Sequence, residues 1–368
     1  MSETFEIFMV AAPGLEEVLA QEARQKGFDD ARAVRGGVEI AGGWEELWRA
    51  SLEMRGAARI LLRLGAFRAF HLAQLDKRAR KFDWGAVLRP DVPLRVEVSS
   101  KRSKIYHAGA AQQRIERALV EEFGAVIDKE AALVLKVRID DNLVTLSVDT
   151  SGEALHKRGF KPAVGKAPMR ENMAAAFLQM AGYQGHEPVV DPMCGSGTFP
   201  IEAAEMAAGM QPGRERGFAF EQFAGFDSDA FAALRRAGGT APGARFYGYD
   251  RDQGAVRNAT QNAERAGVGD WVSFACQPVS DLTPPEGPEG LVIANPPYGG
   301  RIGNRKMLFA LYGSFGQVLR TRFAGWRVAI ITSDAGLAKS MELPFEASAP
   351  ISHGGIRVQL FQTGALRA

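Results

Sequence analysis

The feature that most restricts the fold is the alternation of short apolar runs with helical segments in the C-terminal half of the chain. This alternation is typical of a parallel sheet with helices on both faces. The segments predicted as strands are 188–191, 246–249, 272–275, 290–294 and 326–332, with a final pair at 345–349 and 357–362. Ligands of such sheets bind outside the carboxyl ends of the strands, so the residues after each strand are the candidates for a functional site.

A glycine turn follows the first of these strands and opens a helix. All of its residues are candidates for cofactor binding: Asp191, Pro192, Met193, Cys194, Gly195, Ser196, Gly197 and Thr198. The two glycines lack the Cβ atoms that would keep a ligand away from the backbone. The turn has neither the lysine of a phosphate-binding loop nor the spacing of a dinucleotide fingerprint. It therefore favours a cofactor with a charged amino group and little phosphate. Cys194 is interpreted as a small filler, because no histidine neighbours it as a base.

Polar residues at other helix and strand ends are further candidates for cofactor binding. Asp250, with Arg251 beside it, follows the second strand and can accept from both ribose hydroxyls, although it could also cap a helix predicted for 252–266. Asp281 follows the third strand and could accept from an adenine amine, although a turn aspartate is equally ordinary. Upstream, Arg170 and Asn172 open a helix that could place them over a cofactor; the alternative is a plain connector.

The fourth strand ends in Asn295, Pro296, Pro297 and Tyr298, which we predict to be the catalytic residues. The prolines cannot continue a sheet ladder. The Asn295 amide oxygen and the Pro296 carbonyl can accept from an NH2 group, and the Tyr298 ring can stack on a flat group. An ordinary Asn-Pro turn is the alternative, but the position in the same sheet as the glycine turn favours substrate binding. Together, the turn and this corner indicate methyl transfer to an amine.

The first 150 residues predict an α+β region with a basic surface. A strand at 5–10, a helix at 15–26, a hairpin at 34–40 and a helix at 43–51 are followed by strands at 94–98, 133–139 and 143–148 and a helix at 110–123. The residues predicted to contact nucleic-acid phosphates are Lys101, Arg102 and Lys104, joined by Arg158 and Lys161 from a basic linker at 156–168. A solvated basic face on a stability domain is the alternative.

Composition limits the broad class of protein. A chain of 368 residues exceeds one ordinary core, so two or three domains are expected. The net charge is only +2, so nucleic-acid binding would depend on local basic patches. Two cysteines form neither a disulfide framework nor a zinc site, which fits a reducing cytoplasm. The sequence shows no signal peptide or apolar run of transmembrane length, so no membrane association is expected.

The segments Asp-Pro-Met-Cys-Gly-Ser-Gly-Thr-Phe and Asn-Pro-Pro-Tyr-Gly resemble the class I S-adenosylmethionine-dependent methyltransferases that act on amino nitrogens. More narrowly, the chain resembles the THUMP-containing RNA guanine-N2 methyltransferases, the RlmL-like family. Segments 103–107, 156–160 and 167–172 also match that family, so the resemblance covers nearly the whole chain. It implies a ferredoxin-like module at 1–50, a THUMP RNA-binding domain at 51–155 and a Rossmann-like α/β methyltransferase domain at 156–368.

The resemblance also implies S-adenosylmethionine as the cofactor, without a metal. It places the cofactor on Asp191, Met193, Gly195 and Gly197, its ribose on Asp250 and its adenine near Asp281, with the target base on Asn295 and Tyr298. The implied substrate is a guanosine in structured RNA, with 23S rRNA the first expectation and tRNA the second. A protein glutamine or DNA adenine N-methyltransferase and a non-catalytic RNA-binding protein remain as alternatives.

Two departures from the family pattern bear on these expectations. Gly300 stands where family members often have Glu, so a contact from that Glu to the base would be lost. The sequence also ends after one catalytic domain, whereas some bacterial members carry a second methyltransferase. The sequence carries no signal of the oligomeric state.

Overall fold

The computed structural model describes residues 4–161, 169–298 and 304–367. Gly300 and the linker residues 162–168 lie outside the described residues. Within them, the chain forms two sheets, one N-terminal and one C-terminal, each packed against helices. Among the described helices, none combines the length and the apolar character needed to cross a membrane.

Seven strands build the N-terminal sheet: β1 (Phe5–Val10), β2 (Arg32–Val34), β3 (Gly37–Gly42), β4 (Arg59–Arg68), β5 (Leu94–Lys101), β6 (Leu133–Asp140) and β7 (Leu143–Asp149). Their order is β2-β3-β1-β4-β7-β6-β5, and β5 pairs in parallel with β6 whereas the other pairs are antiparallel. The accompanying helices are α1 (Glu16–Gln25), α2 (Trp44–Glu53), α3 (Leu72–Ala79) and α4 (Ala108–Ala118).

Strand β4 lies at the centre of this sheet, and it was not among the strands predicted from the sequence. Its Ile60 and Leu62 are fully buried, whereas Arg59 and Arg63 alternate with them and pair with carboxylates. Side chains of a strand alternate between its faces, so the arginines belong to one face of a core strand. Because β4 pairs with β1 and with β7, the boundary predicted near residue 50 falls within one continuous sheet.

Eight strands form the C-terminal sheet: β8 (Val189–Asp191), β9 (Phe246–Asp250), β10 (Val272–Cys276), β11 (Leu291–Ala294), β12 (Arg327–Thr332), β13 (Glu346–Ala347), β14 (Ile351–His353) and β15 (Ile356–Gln362). The order is β10-β9-β8-β11-β12-β15-β13, with β14 paired to β15. The first five strands are parallel and β15 is antiparallel to β12. The helices are α5 (Glu171–Met180), α6 (Thr198–Ala207), α7 (Ser228–Leu234), α8 (Gln253–Ala266), α9 (Arg305–Arg322) and α10 (Ala335–Lys339).

The central strands of the C-terminal sheet are buried on both faces. Val189 and Ile293 belong to one apolar cluster, whereas their chain neighbours Val190 and Val292 belong to another. Helices cover both faces, as expected for strands that read as continuous apolar runs. The predicted fold class is therefore confirmed: an α/β Rossmann-like domain follows an α+β region.

A segment between α6 and β9, residues 211–234, packs against the N-terminal sheet. We call it the clasp segment. Its aromatic rings surround Trp48 of α2: the ring centroids of Phe220, Phe226 and Phe231 lie 5.9–6.5 Å from that of Trp48. Backbone hydrogen bonds join residues 213, 220 and 224 of the clasp segment to residues 52, 150 and 87. The two sheets are therefore joined by an apolar contact as well as by the chain.

Candidate active site

The glycine turn and the Asn-Pro-Pro-Tyr corner leave the same edge of the C-terminal sheet. Strand β8, which precedes the turn, is a parallel neighbour of β11, which precedes the corner. In their register Val190 pairs with Val292, so both strands end within a residue or two of each other. Neighbouring strands lie about 4.8 Å apart. This placement brings the two predicted halves of the site together.

The two glycines of the turn are required for different reasons. Both have left-handed backbones, with φ of +54° at Gly195 and +82° at Gly197. A Cβ at Gly197 would lie 2.8 Å from the Phe274 ring and 3.0 Å from the Cβ of Ala259, so this glycine permits close packing. A Cβ at Gly195 would meet nothing within 4 Å. Gly195 therefore faces open space, where its backbone is accessible to a ligand.

Asp191 brings a buried carboxyl to the base of the turn. Its Oδ1 accepts from the backbone N–H of Met193 at 3.1 Å. Burial, together with the nearby negative charge of Asp250, raises the pKa of Asp191 to about 8. This carboxyl forms no ion pair with a cation among the described residues, and a ligand ammonium group would supply one. The residues present therefore fit a cofactor with a charged amino group.

Asp250 is tied to the same turn by one carboxylate oxygen and to the residues before α8 by the other. Its Oδ2 accepts from the N–H of Gly195 at 3.0 Å, and its Oδ1 accepts from the N–H of Asp252 at 2.9 Å. The alternative role as a helix cap is wrong, because the side chain of Asp252, not Asp250, caps α8 through Gly254 and Ala255. Each Asp250 oxygen retains a lone pair, so the carboxylate can still accept from a ribose.

The predicted catalytic corner contains an unpartnered acceptor. Asn295 Oδ1 is buried and has no hydrogen-bond partner among the described residues. Buried amide oxygens are nearly always paired, so this atom is suited to accept from a bound group. Tyr298 is half-buried against apolar clusters on both faces of the sheet, and its burial raises the pKa of the phenol. Tyr298 therefore stays neutral near pH 7 and offers a ring face beside Asn295.

The other predicted cofactor residues are dispersed around this edge. Asp281 is exposed in a short helical turn after β10 and accepts from its neighbour Ser280. Arg251 is exposed, as is Arg170 at the start of α5. Asn172 is buried and donates to the carbonyl of Gly56 at 3.4 Å, so it faces the N-terminal sheet, and its Oδ1 lacks a described partner.

Cys194 lies inside the turn without the features of a nucleophile. Its side chain is buried, and burial raises the pKa of its thiol well above the ordinary value. Because the thiolate is the reactive form, this thiol is unreactive at neutral pH. The buried position agrees with the interpretation of Cys194 as a small filler.

The five residues predicted to bind RNA separate into two groups. Lys101, Arg102 and Lys104 are exposed at the end of β5. Arg158 is buried and donates to the carbonyls of Leu155 and Arg55, and Lys161 is buried in an ion pair with Glu171. Cations buried in contacts with the protein itself cannot reach a phosphate, so direct RNA contact by Arg158 and Lys161 was predicted wrongly.

Arg158 belongs instead to a buried ionic cluster that the sequence analysis missed. We call it the ionic cluster; it consists of Arg55, Arg158, Glu202, Glu205 and Arg214. Arg55, between α2 and β4, pairs at 2.8 Å with Glu202 on α6, the helix that begins at the glycine turn. Two glutamates three residues apart in an otherwise apolar helix were the available sequence signal.

Comparisons with known proteins found relatives that match nearly the whole chain. A relative from Synechocystis sp., named "Putative RNA methyltransferase slr0064", is 31% identical over 96% of this chain and 95% of its own. The crystal structure of SMU.472 complexed with SAH is 28% identical, with a TM-score of 0.89 over the full length of both chains. A "predicted N6-adenine-specific DNA methylase" from Listeria monocytogenes is 29% identical, with a TM-score of 0.87 over 99% of this chain and 97% of that one.

The sheet order and the glycine turn, together with these relatives, define an S-adenosylmethionine-dependent methyltransferase with a Rossmann-like domain. Residues 158–356 match the family described as RMKL-like, methyltransferase domain, and residues 6–61 match the RlmL ferredoxin-like domain. The chain belongs to this RMKL-like methyltransferase family.

Proposed function

We propose that this protein methylates the exocyclic N2 amine of a guanosine in structured RNA, with 23S rRNA as the first candidate and tRNA as the second. The observation that carries the proposal is the buried Oδ1 of Asn295, which has no hydrogen-bond partner among the described residues and lies one strand away from the glycine turn. The name of the Synechocystis relative supports RNA as the substrate class. We assign residues 1–50 to a ferredoxin-like module, 51–155 to a THUMP domain and 156–368 to the catalytic domain.

The residues of the corner activate and align the amine. S-adenosylmethionine, when bound at the glycine turn, supplies an electrophilic methyl group. The N2 lone pair of guanine is delocalised into the ring, which makes the amine a poor nucleophile. Asn295 Oδ1 and the Pro296 carbonyl accept from the NH2 group, which localises the lone pair and fixes its direction. Proximity and alignment then supply most of the acceleration. The target base must leave its stack, and the Tyr298 ring receives it.

The N-terminal region provides the contact with RNA away from the reacting base. Lys101, Arg102 and Lys104 are the proposed phosphate ligands, because all three are exposed on one short segment. Such contacts are sequence-independent and weaken as salt is added. The net charge of +2 implies that binding depends on this local group rather than on the field of the whole chain.

Substitution of Asn295 tests the role of the corner. We expect Asn295→Ala to reduce methyl transfer at least about 100-fold, the scale for loss of one positioned acceptor. Affinity for SAH, measured by titration calorimetry, should stay within a factor of two. Asn258→Ala, on α8, is the matched control and should retain activity. A parallel fall of SAH affinity and activity in Asn295→Ala would contradict the proposed role.

Analysis of the methylated product separates guanosine from adenine as the target. The Listeria relative bears the name of a DNA adenine methylase, and an Asn-Pro-Pro-Tyr corner can hold either amine. Purified protein and labelled S-adenosylmethionine are incubated in three separate reactions, with ribosomal RNA, with tRNA and with DNA. We expect N2-methylguanosine in the RNA digests. N6-methyladenine in DNA, with unlabelled RNA, would refute the proposed function.

A further inference from the structure

Two large exposed rings lie at the end of the N-terminal sheet where β4, β5 and β6 finish. Tyr106 is 74% exposed and Phe70 is 41% exposed. The Lys104 ammonium lies 5.5 Å from the centre of the Phe70 ring, and the rings of Tyr106 and His107 are 4.3 Å apart. We call Phe70, Lys101, Lys104, Tyr106 and His107 the aromatic-basic platform. Its rings and cations are carried by two loops at the same end of the sheet.

The loops that carry the platform are held in place by hydrogen bonds through the turn between β6 and β7. Asn142 Oδ1 accepts from the Lys104 N–H at 2.9 Å, and the Asn142 carbonyl accepts from the Ala69 N–H at 3.0 Å. Arg102, Asp141 and Asn142 have left-handed backbones, with φ of 48–59°. Asp141 and Asn142 form the two-residue turn between β6 and β7, where such backbones are the usual geometry. The rings are therefore presented on a pre-organised surface.

The platform carries positive charge on its two lysines, Lys101 and Lys104. Arg102 is held at 2.8 Å by Asp140, so its charge is largely balanced. Neither Lys101 nor Lys104 forms an ion pair within the described residues. Both lysines are exposed with their charge available to an anionic partner, and the Lys104 ammonium lies beside the Phe70 ring.

Interleaved rings and cations are the chemistry that recognises an unpaired nucleic-acid strand. Each base presents a flat face that stacks on an aromatic ring, and each phosphate attracts an ammonium group. Bases in a duplex are stacked on one another, so their faces are hidden from such rings. An apolar protein segment would have no need of the lysines between the rings.

We propose that the aromatic-basic platform binds an unpaired segment of the RNA substrate, stacking bases on Tyr106 and Phe70 and holding phosphates on Lys101 and Lys104. The inference rests on the proposed function, because it takes the substrate to be RNA. It adds that the enzyme recognises a single-stranded element remote from the methylated base. Strand β4 runs for ten residues from the contacts with the catalytic domain to the platform. That length corresponds to about 30 Å.

Binding of oligonucleotides tests the platform without methyl transfer. A fluorescent 12-nucleotide oligo(U) and a 12-base-pair RNA duplex are titrated with the full chain. We expect tighter binding of oligo(U), and a loss of about tenfold or more in Tyr106→Ala and in Phe70→Ala, the scale for one stacked base. Tyr106→Phe keeps the ring and should bind as the wild type does. Val120→Ala, at an exposed apolar residue outside the platform, is the matched control.

The outcomes separate this inference from the proposed function. Unchanged oligo(U) binding in Tyr106→Ala, or equal affinity of the wild type for duplex and single strand, overturns the platform. A wild type that binds oligo(U) through Tyr106 yet methylates no RNA supports the platform and refutes the proposed function. If the wild type methylates RNA, and Tyr106→Ala binds and methylates it equally well, the proposed function is supported and the platform is refuted.

Discussion

At the residue scale, the site depends on groups that are incomplete without a ligand. Asp191 is a buried carboxyl with a raised pKa, and Asn295 Oδ1 is a buried acceptor without a described partner. Either feature would destabilise a domain that had no use for it. Because they lie on adjacent strand ends, we propose that the cofactor completes Asp191 and the substrate amine completes Asn295.

The raised pKa of Asp191 predicts that cofactor binding depends on pH. Below about pH 8 this carboxyl is mostly protonated in the free protein, whereas an ammonium group favours the carboxylate. Binding then releases a proton, so affinity for SAH should rise between pH 6 and pH 8, by at most about tenfold per pH unit. Calorimetry at pH 7 in two buffers of different ionisation enthalpy measures the proton release. Asp191→Asn should bind SAH more weakly, without this pH dependence. A wild-type affinity that is flat with pH would contradict the assignment.

The two turn glycines should respond differently to alanine. Gly197→Ala forces a methyl group against Phe274 and Ala259, so we expect a loss of about 1–3 kcal/mol in the free energy of unfolding. Gly195→Ala places its methyl group in open space, so only the left-handed backbone is strained, at about 1 kcal/mol. In Gly195→Ala, we expect the loss in the free energy of SAH binding to be larger than the loss in the free energy of unfolding. Denaturant unfolding and calorimetry measure the two effects, and equal SAH affinity in Gly195→Ala and wild type would exclude a ligand at that position.

At the scale of elements, the sequence predicted those whose pattern is local. The alternation of strands and helices located β8 to β12 within a residue or two, because buried parallel strands are continuous apolar runs. The position of the candidate site could be predicted from the same pattern, because the carboxyl ends of parallel strands meet at one edge of the sheet. Strand β4 escaped prediction because Arg59 and Arg63 interrupt its apolar residues, and their carboxylate partners lie far away in the sequence. The burial of Arg158 was not predicted either, because its carboxylate partner Glu202 also lies far away in the sequence.

The clasp segment is an element that only tertiary contacts explain, and it predicts a local weak point. Phe220 is fully buried against Trp48, so Phe220→Ala should lower the free energy of unfolding by about 3–5 kcal/mol. We also expect faster proteolysis within residues 211–234, because the segment loses its main contact with the N-terminal sheet. Phe345→Ala, at a partly buried ring just before β13 and outside the clasp segment, is the control and should leave cleavage within residues 211–234 unchanged. Identical cleavage in Phe220→Ala and wild type would refute this role.

At the scale of the whole molecule, the two sheets behave as one unit because the ionic cluster adds polar contacts to the clasp segment. Arg55 donates to Glu202 and to the carbonyl of Met210, and its own backbone N–H donates to Glu22 of α1. The helix that begins at the glycine turn is thereby fixed to the N-terminal region. Under our proposals, such a connection sets the distance between the aromatic-basic platform and the candidate active site.

Removal of Arg55 tests this connection, and its effect should depend on pH. Burial raises the pKa values of Glu22 and Glu205, and the positive charge of Arg55 opposes that rise. In Arg55→Ala both pKa values should rise further above those of the unfolded chain. A carboxyl with a raised folded pKa costs stability as pH increases from its unfolded pKa through its folded pKa. The deficit in the free energy of unfolding should therefore be smallest near pH 5 and grow toward pH 8, where about 3–5 kcal/mol is expected for a broken buried pair.

Denaturant unfolding at pH 5, 6.5 and 8 measures this trend, with Arg89→Ala at an exposed ion pair as the control. A deficit that is constant with pH would mean that Arg55 acts through packing rather than through its charge.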